Sequence, residues 1–480
     1  MAATQVKTNR RCRTYLRVNS VHNEPPSQDH KVNPDVVNAA NQPLSYLVLR
    51  SIYGYPTYPA PTTGHKRVTV GIVIAYLHRT NDGSANISKS TMPSDIRAFC
   101  AMNGYTAPTF LSPIILGNSV APISFPTGGP FFVEAAPSGC PLDPYDSANN
   151  PGWPLEASLD VQSVFGMTNT NGPATGPNII LVHAKSDSFT DLDLAISQAV
   201  TLGADVISMS WGSSEFLGEA AYDTFFTSGS AATRTFVAST GDDAYGSYPA
   251  FSPYVIAVGG TSLNVSSGGA RITESVWGND NGNGNSGGGV SGSTSGPVNS
   301  ALPVQEPVPS YQLALGYRGR AIPDISSFAN PNPGVVIALN TFVPPRGTPN
   351  TTVQYWIVGG TSVSAPCQAA CIATANQLRV NNNKTILTST QALTAYYNAY
   401  ASTTPTSYCR GYIYNIILGL TYLYTQTTIT IGSGRYQRTI TTWGYLPDNS
   451  AVPVPTSKGY DLATGLGVPS VGLIPYLASV

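Results

Sequence analysis

The sequence predicts an α/β protein with a mostly parallel central sheet flanked by helices. Two patterns carry that expectation: short, continuous apolar runs recur along the chain, and helical stretches lie between several of them. The first run, Val68–Ala75, reads Val-Thr-Val-Gly-Ile-Val-Ile-Ala. It is rich in β-branched residues and does not alternate, as expected of a strand buried on both faces. Similar runs follow at Ile179–His183, Asp205–Ser210, Thr235–Ala238, Tyr254–Val258, Val335–Ala338 and Tyr355–Val358. Helices are expected over Thr190–Leu202 and Glu219–Gly229, and over the Ala-rich stretch Cys367–Leu378. Residues 1–45 are polar, with Lys7, Arg10, Arg11, Arg13 and Arg17 and no acid before Glu24, and read as a disordered basic arm. A more apolar stretch begins near Leu47, so residues 46–480 read as one domain. The Gly/Asn/Ser tract Gly278–Pro297 does not divide it, because apolar runs of the same character stand on both sides. The Pro/Gly-rich stretches Pro122–Pro154 and Thr403–Tyr445 read as long loops.

Composition narrows the function. The 480 residues carry 24 basic and 25 acidic side chains, so 10% are charged and the net charge is −1; an average soluble protein has roughly 25%. That balance argues against a charge-rich disordered chain and against a nucleic-acid binder held by phosphate contacts. Low charge suits a protein that stays compact where carboxylates are protonated, because few ion pairs are lost there. No apolar run reaches the roughly 20 residues of a membrane span. The six cysteines form no metal-binding spacing. Cys367 and Cys371 share a helix face and are expected as small buried residues rather than a disulfide.

The sharpest chemical motif is Gly359-Gly-Thr-Ser362-Val-Ser-Ala-Pro366, between a strand and a helix. Glycines permit a tight turn and close backbone approach. A serine at a helix N-terminus meets the positive end of the dipole and free N–H groups, which favour an alkoxide and an oxyanion. Such a nucleophile needs a base. None of the five histidines (His22, His30, His65, His78, His183) opens a helix beside a Gly-Thr pair, so the usual partner is missing. Glu156 and Asp160 offer another. They stand four apart on a helical stretch, hence on one face, where two acids share a proton and one pKa rises. Taken alone, the pair would read as solvated acids favoured by the helix dipole. Asp242 follows an apolar strand, at the edge where α/β proteins build sites.

The order of these motifs resembles the sedolisins, the serine-carboxyl peptidases with a subtilisin-like fold. Glu156 and Asp160 match the family's Glu-x-x-x-Asp helix, and Ser208-Met-Ser210-Trp211-Gly212 its Ser-x-Ser-Trp-Gly strand end. Thr240-Gly-Asp242, Tyr248–Val255, Gly287–Ser291, Pro309–Gln312, Arg320–Asp324 and Gly360–Pro366 match further family motifs in order. The resemblance covers the chain from about Leu47 to its end. It implies that Ser362 is the nucleophile, that Glu156 takes its proton, that Asp160 orients Glu156, and that Asp242 lines the oxyanion hole. Asp242 donates there only when protonated, which implies acidic conditions. Ser208, Ser210, Trp211, Gly212, Gly287, Gly288 and Gly289 would line the cleft and pair with substrate backbone.

The resemblance also implies one structural Ca²⁺ near the C-terminus. Asp461 would supply a carboxylate, Ser457, Gly459 and Ile416 carbonyls, and Asn415 an amide oxygen where the family has an aspartate. Two further departures stand out. The 45 residues before the match are far short of the family's folded propeptide, and Val68–Ala75 lacks the extra glutamate that extends the acid network in many members. The implied activity is acid-active endopeptidase hydrolysis of polypeptides by a monomer, in an extracellular or acidic compartment. The alternatives are a tripeptidyl-peptidase of the same family and a catalytically silent binding protein.

Overall fold

A computed structural model describes residues 11–24, 42–147, 151–278, 284–292, 303–340, 352–401, 409–416, 422–431, 438–447 and 460–480, apart from 171, 173 and 411. Five of the apolar runs, joined by Phe131–Pro137 and Arg271–Val276, form strands of one central sheet: β1 (Thr69–Ala75), β2 (Phe131–Pro137), β3 (Asn178–Ala184), β4 (Val206–Met209), β5 (Thr235–Ser239), β6 (Ile256–Val265) and β7 (Arg271–Val276). Their spatial order is β7-β6-β5-β4-β1-β3-β2. All neighbours run parallel except β6 and β7. Every residue of β1, β3, β4 and β5 is buried, which explains why these strands are apolar throughout rather than alternating. The sheet is mostly parallel and the architecture α/β, as expected.

Helices cover it. Helix α1 (Gly152–Thr168) is buried from Trp153 to Thr168 and packs on β1 and on α3 (Thr361–Asn381). A helix buried all round belongs to the middle of a large core. Helix α2 (Phe189–Leu202) is stopped at both ends by its own sequence. The Ser188 side chain accepts from Asp191 N, and Gly203 closes the other end at φ 104°. Cys367 and Cys371 are buried in α3 and free, as expected.

Several expectations fail for local reasons. The proline-rich stretch 122–154 is not all loop, because Phe131–Pro137 within it joins the central sheet beside β3. Within 403–445, an antiparallel ribbon pairs Tyr422–Ile431 with Arg438–Pro447. The helix expected over Glu219–Gly229 is broken into 3₁₀ turns around the single turn Thr224–Thr227. β-branched threonines at both ends of that turn and Gly229 at φ 55° disfavour a continuous helix. The runs near Val335 and Tyr355 are strands, β8 (Val335–Asn340) and β9 (Val353–Gly359), but they pair antiparallel outside the central sheet.

The largest correction concerns the basic arm. Residues 11–24 are not disordered: Arg13–Thr14 and Arg17–His22 are strands laid on the domain. The second pairs antiparallel with β9, from Tyr355↔His22 to Gly359↔Arg17. Backbone pairing and three arginine–aspartate contacts fix it, and a reading by composition sees neither.

Candidate active site

Ser362 stands in the first turn of α3, just after Gly360 at φ 103°. Glycine is required there. A Cβ on Gly360 would collide with the Tyr15 carbonyl and stand 2.8 Å from Asp242 Oδ2. The first N–H groups of a helix lack internal partners, and Ser362 N spends its own on Tyr15 O at 3.1 Å. Pro366, four residues on, has no N–H, so the carbonyl of Ser362 loses its helical bond. That carbonyl is met instead by Ser210 Oγ at 3.4 Å, while Ser362 Oγ points to Ser210 O at 3.4 Å. The proline thus opens the helix where the serine needs a neighbour.

The neighbours are carboxyls. Glu156 and Asp160 lie one turn apart on the buried α1 and are both wholly inaccessible to solvent. Asp160 Oδ1 accepts from Ser210 Oγ at 2.7 Å. Asp160 Oδ2 and both oxygens of Glu156 have no hydrogen-bond partner among the described residues. Burial pushes Glu156 well above the ordinary carboxylate range, and the charges of Asp160 and Asp242 push the same way, while Ser362 pulls it down. Ser362 is therefore close enough to act on Glu156, though no hydrogen bond of normal geometry closes between them. Burial also raises Asp160, against the pull of Ser210. Unsolvated and without a cation, the two acids favour a shared proton.

Asp242 follows β5 through Gly241, at the C-terminal end of a parallel strand. Its Oδ1 accepts from Thr361 N and Thr361 Oγ1, both at 2.8 Å. Its Oδ2 lies 3.4 Å from Arg17 Nε. Burial holds the group up at about 7, although the Arg17 charge lowers it. Near neutrality this carboxyl is therefore poised between acceptor and donor. Among the described residues the two buried histidines are engaged elsewhere: His78 with Asp95, and His183 with Glu134.

The N-terminal strand crosses this cluster. Arg13 and Thr14 pair antiparallel with Gly212 and Trp211. Cys12 N, further back, donates to Asp187 O at 2.7 Å. Tyr15 is 3% exposed. Its ring lies against Gly212 and Gly241, with its hydroxyl beside Ser247. The arginines tie down the flanks: Arg13 and Arg17 both bind Asp243. This occupancy was not legible in the sequence; the basic character of the arm was its one visible sign.

The expected cleft residues separate into two groups. Trp211 and Gly212 present backbone to the crossing strand, and Ser210 holds Asp160. Ser208 is not a cleft residue: it lies inside β4, between β1 and β5, wholly buried. Gly287 and Gly288 serve the protein's own packing. Gly287 N donates to Gly241 O at 2.8 Å, and a side chain on Gly288 would collide with the Leu462 carbonyl. A Cβ on Gly289, at φ 136°, would meet Phe251 Cζ at 4.0 Å, an ordinary contact.

The calcium expectation finds a poor donor set. Asp461 Oδ1 accepts from Ala463 N and Thr464 N at 2.8 and 2.7 Å, and Oδ2 from Thr464 Oγ1 at 2.7 Å. A carboxylate has about four acceptor positions, and calcium asks for about six to eight oxygens. No group of three or more metal-ligating side chains occurs among the described residues. Asn415 and Ile416 lie after a short strand that pairs with Val468–Pro469, while Ser457 and Gly459 fall outside the described residues. Asp461 is the one carboxylate among the expected donors, and no step depends on a bound ion.

Comparison with known proteins points to one family. The family model of the subtilases (Peptidase_S8, "Subtilase family") matches residues 161–408, just over half of the chain. Kumamolisin from a Bacillus species is 30% identical over 271 residues, 53% of this chain and 45% of its own. Sedolisin from a Pseudomonas species is 32% identical over 237 residues, 44% of this chain and 36% of its own. The chain thus matches less than half the length of either relative. The solved structure of Pseudomonas sedolisin, a serine-carboxyl proteinase complexed with two molecules of pseudo-iodotyrostatin, shares the fold. It has a TM-score of 0.59 at 23% identity and covers 92% of this chain and 99% of that one.

Proposed function

The chain belongs to the subtilase family, in its sedolisin branch, and on that premise we propose that it is a serine-carboxyl endopeptidase, cutting polypeptides under acidic conditions. The observation that carries the reading is the pair Glu156–Asp160, buried without a cation beside Ser362 at a helix N-terminus. In the proposed reaction Ser362 Oγ attacks a peptide carbonyl while its proton passes to Glu156. Asp160, oriented by Ser210, sets the position and basicity of Glu156. The tetrahedral oxyanion accepts hydrogen bonds from Ser362 N and from a protonated Asp242. Glu156 then gives its proton to the leaving amine, and water resolves the acyl-enzyme by the same steps reversed.

The pH dependence follows from two groups. Asp242 must carry its proton, so activity falls above about 7. The dyad must be singly ionised, so activity falls again in strong acid, where it takes up a second proton. The endopeptidase mode is supported by the path of the N-terminal strand. It runs back past Arg13 to Cys12 and Arg11, so the cleft takes more than three residues on that side. The test is hydrolysis of a denatured protein across acidic pH, beside Ser362→Ala. Activity lost in the variant supports the reading, and equal activity in both sinks it.

A further inference from the structure

Tyr76, the residue that follows β1, sits at φ 59°. That is the left-handed region, which glycine enters freely and a residue with a bulky side chain resists. We propose that His183, oriented by Glu134, is a positioning residue for the substrate cleft: it pins Tyr76 in this conformation, and the pinned ring forms the wall that receives residues well before the cut bond. The inference rests on the peptidase reading above.

His183 lies in β3, wholly buried and opposite Ile74 of β1. Its Nδ1 is 2.7 Å from the Tyr76 carbonyl. A carbonyl only accepts, so Nδ1 carries the proton. Its Nε2 lies 3.1 Å from Glu134 Oε2, on the neighbouring strand β2 and equally buried. That contact fixes the ring, as a carboxylate does for a histidine working through its other nitrogen. A buried acid–histidine pair gives a fold little that apolar packing would not. What this one supplies is a donor aimed at a single carbonyl. Tyr76 N donates to Ala184 O at 2.8 Å, so β3 holds both backbone groups of the strained residue.

The strain secures a direction. The Tyr76 ring meets Trp153 edge-on, with 6.5 Å between centroids, and its hydroxyl donates to Asp187 Oδ1 at 3.2 Å. Trp153 stands on α1 one turn before Glu156, its own N held by Asp143 Oδ2 at 3.1 Å. A wall thus runs from the catalytic base through Trp153 and Tyr76 to Asp187. The Asp187 carbonyl takes an extended-backbone N–H, that of Cys12, at 2.7 Å. Strained residues that the surrounding structure over-determines cluster at sites, where they preset a shape. A glycine at position 76 would reach the same φ without help, but it would bring no ring.

The experiment uses the full chain and a quenched fluorescent peptide spanning a site found by mass spectrometry in the digest of a denatured protein. The same peptide, cut back to two residues before the scissile bond, is its partner. The readout is the ratio of kcat/KM, long peptide over short. In His183→Phe made together with Glu134→Leu, so that no buried charge is stranded, the ratio should fall about 10-fold, with the loss in KM rather than kcat. Tyr76→Gly should lower it by the same factor. Combining the changes should lower it no further, because both act through one ring. His183→Asn, whose Nδ2 replaces the Nδ1 donor, should keep the ratio within about 3-fold of the parent. An unchanged ratio in Tyr76→Gly overturns the proposal, and this variant decides alone if the paired one does not fold. So does a loss in kcat shared by both peptides, the mark of residues that serve only the fold. A parent that cuts both peptides while Tyr76→Gly keeps the ratio sinks this inference and leaves the peptidase reading standing. A folded parent that cuts no denatured protein sinks both.

Discussion

Two buried aspartates set the terms of this molecule. Asp324 and Asp160 are both wholly buried. Asp324 is met by the Arg320 guanidinium at 2.7 and 2.5 Å, by Tyr397 Oη at 2.9 Å and by Ala257 N at 2.8 Å. Asp160 has one hydroxyl, that of Ser210, and a second acid one turn away. The first arrangement satisfies a charge and locks a loop; the second leaves a proton mobile. Burial alone therefore does not mark a catalytic acid. In the proposed reaction, what sets Asp160 apart is burial without a cation, next to a serine at a helix N-terminus.

The comparison can be broken from either side. Ser362→Ala should lower hydrolysis of a denatured protein by at least about 1,000-fold, with little change in melting temperature. Asp160→Asn should cost about 100-fold or more in kcat, since the base loses its orienting charge. The same variant should be no less stable at neutral pH, because it relieves a buried acid pair. Asp324→Ala should do the reverse. Leaving Arg320 buried without its partner costs about 3–5 kcal/mol, read as a lower urea midpoint. Equal stability losses in the two aspartate variants would erase the distinction.

Two smaller effects sharpen it. Asp242→Asn supplies a donor that needs no proton. Its alkaline limb, near about 7 in the parent, should move upward while kcat stays within about 10-fold. The second concerns stability. Glu215, Glu219, Asp223 and Glu306 crowd together in the interior, where burial and neighbouring acids push Glu219 up to about 10 and Glu306 to about 9. The folded protein keeps protons there that the unfolded chain gives up. The stabilisation is complete below the unfolded value of 4.5 and is lost as pH rises towards 9 and 10. The urea midpoint should therefore fall between these limits. This gives the low charge of the chain a counterpart in its core: buried acids that hold their protons best in acid.

Much of this was legible in the sequence where the signal was local. The apolar runs that became β1, β3, β4 and β5 carry their burial in their composition. The spacing of Glu156 and Asp160 fixes a shared helix face without any tertiary knowledge. What failed was set by distant partners. Phe131–Pro137 hid among prolines and glycines because β3 recruits it. Ser208 looks like Ser210 in the sequence, yet Ser208 lies within β4 while Ser210 stands just past its end and reaches Asp160. Arg13–Thr14 is too short and polar to announce a strand, and only Trp211–Gly212 makes it one.

The central claim is that a buried glutamate, not a histidine, takes the serine proton. It is tested most directly by kcat/KM of Glu156→Gln on a denatured protein, measured across acidic pH beside Ser362→Ala. The account predicts a folded variant whose activity falls to the level of the serine variant at every pH, since the amide removes the base while keeping the shape. Activity within about 10-fold of the parent would contradict it.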